Sequence, residues 1–248
     1  MAVVEEVIMV ENKCIQFKNS TDANNQELYF YGDIVSDEWS KWTDADTCPQ
    51  DVQDILNQID EKKPLNIYIN SGGGSVFAGL AMYNMLKRNQ CQKTVYIDGL
   101  AASIASVISM AGDKIVMPSN AFLMIHKAWN CGCGNADDMR KMASDLDKID
   151  EGILNVYADN LKDGVDIKDI KTMVDAETWL TGEDAAKYFN VDVVKPNKAA
   201  ASISNLSNYK NVPKELIKIE DKSNIEHDSS DSFNNKEELE VLKAKLAL

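Results

Sequence analysis

Leu65–Asn70 (LNIYIN) runs directly into Ser71-Gly72-Gly73-Gly74-Ser75, and a helical pattern begins at once with Val76. The first segment reads as a buried strand. Val76, Leu80, Tyr83 and Leu86 mark one face of a helix reaching about Arg88. Thr94–Asp98 (TVYID) is again a short strand, Gly99–Ala102 reads as a turn, and a helix rich in small residues starts at Ser103. Strand, glycine loop, helix, strand and helix in succession form a βαβ unit, which demands a parallel pair of strands with a right-handed crossover. The fold class expected is therefore α/β.

The flanking chain extends this pattern. Glu27–Ile34 is aromatic and β-prone, and Val35–Gln50 is a polar loop carrying Trp39 and Trp42. Gln50–Glu61 places Val52, Ile55, Leu56 and Ile59 at helical spacing, closed by Pro64. Lys114–Met117 and Phe122–Ile125 predict two short strands. Asn135–Leu161 predicts a long helix with Met139, Met142, Leu146, Ile149, Ile153 and Val156 on one face. A short helix at Ile167–Val174, a helix at Gly182–Phe189 capped by Thr181 and a last strand at Val191–Val194 follow. A weak alternation surrounds Cys14–Phe17.

Past that strand the composition shifts. Residues 1–197 are expected to form one domain and 198–235 a polar linker, whose Asp221–Asn235 stretch is rich in Ser, Asn and Asp. Residues 236–248 begin a helical segment with Leu239, Leu242 and Leu246 at heptad-like spacing, too short to be stable alone.

With 26 basic against 40 acidic residues the net charge is −14, which argues against partnership with nucleic acid or an anionic membrane surface. No apolar run is long enough to span a bilayer, and the N-terminus lacks a signal-peptide pattern. Five cysteines (Cys14, Cys48, Cys91, Cys131, Cys133) are an odd number in a chain that is not small, so free thiols and a cytoplasmic setting are expected. Cys131-Gly-Cys133 lacks the spacing and the second pair of a zinc site.

Ser103 lies at a strand-to-helix junction, where backbone N–H groups are free and the local dipole favours negative charge. That location suits a nucleophile whose reaction creates an oxyanion, and equally a plain helix cap. The glycine loop is not G-x-x-x-x-G-K-[ST], because no Lys follows at the required place, and it does not match G-x-G-x-x-G either. Its glycines either form a tight turn or let a backbone N–H approach a substrate. A serine needs a base, and of the two histidines His227 lies in the polar linker, whereas His126 ends a strand at the rim of the sheet. Asp175 and Glu177 are the nearby carboxylates that could orient the imidazole, and being two apart they point to different sides of an extended segment.

Four segments resemble the Clp-type (ClpP-like) serine peptidases, in that family's order: Tyr68–Val76, Gly99–Ser103, Met124–His126 and Glu177–Thr181, within a match from about Gln26 to Val194. The resemblance implies a spiral of βαβ units shared with the crotonase fold. It also implies Ser103 as nucleophile, His126 as base, Gly73 and Ile104 as oxyanion-hole N–H donors, and Glu177 (alternatively Asp175) as the acid. No metal or nucleotide cofactor is implied for the chemistry. Gly72 stands where the family usually has proline, Glu177 where housekeeping members carry Asp, and Ala176 replaces an arginine that helps lock two rings together. A homo-oligomeric, heptamer-like ring is implied, and Ala176 puts ring stacking in doubt.

The Glu-Thr-Trp-Leu-Thr segment and the C-terminal extension resemble the phage branch, the prohead or head-maturation proteases. These act on capsid, scaffold and themselves in the bacterial host cytoplasm, within proheads. Competing readings are a Clp subunit working with an ATPase, an acyl-CoA enzyme of the crotonase type, a Ser-Lys peptidase using Lys127, and a catalytically silent ring subunit. Ser106 and Ser109 are expected to be packing residues.

Overall fold

The computed structural model describes residues 18–19, 26–196 and 209–213. The expectations for Cys14–Phe17, His227, Asp221–Asn235 and the 236–248 segment lie outside them. A mostly parallel sheet carries the chain in the order β1 (Lys18–Asn19), β2 (Gln26–Phe30), β3 (Leu65–Ser71), β4 (Lys93–Ala102), β5 (Lys114–Pro118) and β8 (Val191–Val194). β6 (Phe122–Ile125) pairs with β4, and β7 (Thr178–Thr181) pairs antiparallel with β6.

β3 and the first part of β4 alternate strictly. Leu65, Ile67, Ile69, Val95 and Ile97 are fully buried on one face, each contributing about 1.5–3 kcal/mol of burial. On the other face the parallel register aligns Tyr29, Tyr68 and Tyr96. Their rings stack at centroid separations of 4.7 and 5.1 Å.

The helices α1 (Pro49–Leu56), α2 (Val76–Arg88), α3 (Ile104–Ser109), α4 (Ala136–Ala158), α5 (Ile167–Asp175) and α6 (Gly182–Tyr188) follow the predicted order. α1 ends five residues before the expected Glu61. Thr181 caps α6 by accepting from the Asp184 N–H. α2 buries Ala78, Gly79, Met82, Tyr83 and Leu86, a face rotated from the predicted one. The cause is Gly79, which lets α3 press in: a Cβ there would stand 2.2 Å from Ile104 Cγ1. α4 is buried only from Asp150 onward, at Asp150, Ile153, Val156 and Tyr157. Its predicted apolar stripe continues outward, with Met139 exposed and Met142, Leu146 and Ile149 half-buried.

Gly99–Ala102 is strand, not turn. β4 pairs with β5 through Thr94–Tyr96, then leaves it and pairs with β6 through Leu100–Ala102. A second partner supplies hydrogen bonds that the local sequence does not announce. Among the described residues no helix is long and apolar enough to cross a membrane.

Candidate functional site

The register of three strands brings the candidate side chains together. Ala102 of β4 pairs with Met124 of β6 in parallel, so Ser103 and the residues after Met124 leave the sheet at the same rim. Thr178 of β7 pairs antiparallel with Ile125, which sets Glu177 beside His126. Asp175, two residues earlier, is the last residue of α5.

Ser103 has φ 53° and ψ −126°, and its N–H donates to the Met124 carbonyl at 2.9 Å. A non-glycine residue at positive φ is strained, and such strain concentrates at functional sites. Among the described residues only Ser103 and Glu177 (φ 52°) carry it without being glycine. The Ser103 side chain makes no helix-cap hydrogen bond. Its Oγ instead lies 2.7 Å from His126 Nε2, which separates a nucleophile arrangement from an ordinary cap.

Burial lowers the His126 pKa from its usual value, and the negative charge of Glu177 acts in the opposite direction. The net shift favours the neutral imidazole, the form that can accept a hydroxyl proton. Ala128 N–H donates to Asp150 Oδ1 at 2.8 Å, so α4 anchors the backbone just past His126. Sequence reasoning gave Asp150 no part. Its only local signal is a carboxylate on the otherwise apolar inner face of α4.

Of the two candidate acids, Asp175 Oδ1 is 3.0 Å from Lys127 Nζ. Glu177 Oε1 accepts from the backbone N–H groups of Lys210 and Asn211, each at 2.7 Å. Among the described residues no carboxylate hydrogen-bonds to the His126 ring. Part of the expected 198–235 linker, Tyr209–Asn211, therefore lies on the site.

The glycine loop approaches Ser103 from β3. Gly73 has φ +96°, and a Cβ there would meet Ala102 O at 2.7 Å and Ser103 Cβ at 2.8 Å. Only glycine allows that approach. The Gly73 N–H, expected to point into an oxyanion hole, donates instead to Ser71 Oγ at 3.1 Å, and Ser71 Oγ donates to Gly32 O at 2.6 Å. The neighbouring Gly74 (φ +143°) also faces the cleft that holds Ser103 and His126. Among the described residues its N–H has no hydrogen-bond acceptor, and neither does that of Ile104, at the start of α3. Sequence reasoning did not single out Gly74, because three consecutive glycines give no local cue as to which N–H is left free.

Ser106 and Ser109 are fully buried. Ser106 Oγ lies 2.7 Å from Tyr157 Oη, and Ser109 Oγ donates to Ser106 O at 2.6 Å. Both are packing residues.

Away from the cleft, Glu38, Cys48 and Asp51 group closely enough to suit a cation. Lys41 Nζ already sits there, 2.8 Å from Glu38 and 2.7 Å from Asp51. Burial pushes the Cys48 thiol up to about 11, so it is not a ready thiolate ligand. Cys131 and Cys133 are free and exposed.

A family model described as Clp protease matches residues 27–198. Among curated proteins the chain is similar to the ATP-dependent Clp protease proteolytic subunit of Bacteroides fragilis. Identity there is 32% over 142 residues, covering 56% of this chain and 67% of that protein. It is also similar to the subunit of the same name from Ligilactobacillus salivarius, 32% identical over 147 residues, covering 58% of this chain and 73% of that protein. The Porphyromonas gingivalis subunit of that name is 28% identical over 142 residues, covering 56% and 63%.

Proposed function

The chain belongs to the Clp protease family, and from that premise we propose that it is a serine endopeptidase working through an acyl-enzyme. The observation that carries the proposal is the 2.7 Å contact between Ser103 Oγ and His126 Nε2, made by an uncapping serine at positive φ. Ser103 Oγ attacks the peptide carbonyl carbon as His126 Nε2 takes its proton. The N–H groups of Ile104 and of the glycine loop, Gly74 rather than Gly73 in this arrangement, meet the developing oxyanion. One such donor is worth about 3 kcal/mol of transition-state stabilisation. The tetrahedral intermediate collapses, the C–N bond breaks, and His126 gives the proton to the leaving amine. Water, deprotonated by the same imidazole, then hydrolyses the ester. Glu177 orients the imidazole and stabilises its charged form.

The substrates proposed are capsid and scaffold proteins and the chain itself, as in a head-maturation protease of the bacterial host cytoplasm. Support comes from the Glu177–Thr181 segment and from the chain continuing past the matched region. Assembly into a homo-oligomeric ring is proposed on the outward apolar stripe of α4 and on Phe77, which is 71% exposed. A second reading, a proteolytic subunit that works with an ATPase, is favoured by the names of the relatives, which are ATP-dependent.

Ser103→Ala tests the proposal. Hydrolysis of an unstructured protein and any shortening of the chain seen by intact mass should vanish while folding persists. Unchanged hydrolysis in that variant ends the reading. Hydrolysis of a folded substrate that requires a supplied Clp ATPase and ATP selects the second reading.

A further inference from the structure

Tyr209–Asn211 follows the last strand in sequence and returns to the candidate site. The Tyr209 phenol donates to the Gly72 carbonyl. Its ring stands edge-on to His126, with centroids 5.4 Å apart at 82°, and edge-on to Trp179 at 5.8 Å and 80°. Burial in this contact pushes the phenol up to about 12. The next two N–H groups, of Lys210 and Asn211, both donate to Glu177 Oε1 at 2.7 Å. Asn211 Nδ2 donates to Ala176 O at 3.0 Å. These partners belong to the glycine loop, the base and the acid-bearing segment.

Two backbone amides on one carboxylate oxygen make a charge-assisted arrangement stronger than a neutral pair. It fixes the Glu177 carboxylate on this segment, while the imidazole beside it has no carboxylate hydrogen bond. The ring of Tyr209 lines the same cleft as Ser103 and His126, where a substrate carbonyl has to arrive.

We propose that Tyr209–Asn211 is an intramolecular strap that covers the Ser103–His126 pair and keeps Glu177 from the imidazole until a peptide displaces it. The inference rests on the peptidase reading of that pair. A substrate then competes with a tethered occupant, and its apparent affinity falls by the fraction of chains whose strap is open. Displacement also releases the Glu177 carboxylate, which turns to His126 Nδ1 and completes the catalytic set. Entry of the substrate and assembly of the acid are thus one event.

The test uses the full chain carrying Tyr209→Ala with Asn211→Pro. The first change removes the ring and phenol; the second removes one backbone donor and the side-chain amide. Tyr209→Ala alone serves if proline at 211 disturbs folding. Two readouts are taken: the NMR titration midpoint of His126 and the rate at which a fluorophosphonate labels Ser103. The strap variant should raise the midpoint by about one pH unit, because a neighbouring carboxylate favours the imidazolium. Labelling should accelerate about tenfold. In a Glu177→Gln background the midpoint should rise by less than half as much, which separates the carboxylate from simple rehydration of the ring.

An unmoved midpoint, or a rise that survives in full with Glu177→Gln, overturns the strap. So does scission of the wild-type chain within residues 209–213, which would make the segment a substrate. Equal labelling of wild type and variant with an unmoved midpoint removes the strap and leaves the peptidase. A raised midpoint with no labelling of either protein keeps the strap and removes the peptidase.

Discussion

Lys127 Nζ pairs with Asp175 Oδ1 at 3.0 Å, immediately after the histidine in sequence and two residues before Glu177. The lysine that could have served a Ser-Lys mechanism and the carboxylate that rivals Glu177 thereby occupy each other. Both side chains are about half exposed, so the pair itself adds little to stability. Asp175→Asn should leave peptide hydrolysis within about twofold of wild type, and Glu177→Gln should lower it by about 10²–10⁴-fold. Steady-state kinetics of the two variants checks this; the reverse ranking assigns the acid to Asp175.

The pH profile follows from the buried imidazole. Burial lowers the His126 pKa, and in the proposed mechanism the base acts as the neutral ring. The neutral form therefore persists to lower pH, and the acid limb of kcat/KM should have its midpoint below the ordinary value of about 6.5. The Glu177 charge works against this lowering, so Glu177→Gln should move the limb lower still. A midpoint above the ordinary value that ignores Glu177→Gln contradicts the assignment of base and acid.

Packing between α2 and α3 should reach the chemistry through Gly79. A Cβ at this position would overlap Ile104 Cγ1 at 2.2 Å, and Ile104 carries one of the free N–H groups beside Ser103. Gly79→Ala should cost about 1–2 kcal/mol of stability and lower fluorophosphonate labelling about tenfold, since small misplacements of a donor are expensive. Denaturant midpoints and labelling rates check it. Wild-type values for both mean that Ile104 yields without moving its amide.

Tyr157→Phe provides the contrasting case. Tyr157 is buried, and its Oη meets Ser106 Oγ, which also donates to Ser103 O. Losing the phenol should cost about 1 kcal/mol and leave the reaction unchanged, because Ser106 keeps its backbone acceptor. A large loss of activity with unchanged stability would give Ser106 a part in positioning the nucleophile.

The sequence made the βαβ unit, Ser103 and His126 legible because each rests on local signals: alternation, a glycine loop, a strand end. Gly99–Ala102 was not legible as strand, since its hydrogen bonds come from β6, a partner some twenty residues on. The outer half of α4 shows what periodicity leaves open. An apolar stripe announces a face to be covered without saying what covers it. Glu177 could be picked out, but not its present partners: Tyr209 bonds to Gly72 across 137 positions and Lys210 to Glu177 across 33. A polar stretch with one tyrosine carries no local mark of such a return.

The account depends most on the alcohol at 103 being activated by the ring at 126. The direct measurement is peptide-level mass mapping of the fluorophosphonate adduct in the full chain and in His126→Ala. The account predicts a single adduct on Ser103 in the wild-type protein and a labelling rate at least about 10²-fold slower without the imidazole. An adduct on Ser106, Ser109 or elsewhere, or labelling at Ser103 that is indifferent to His126→Ala, contradicts it.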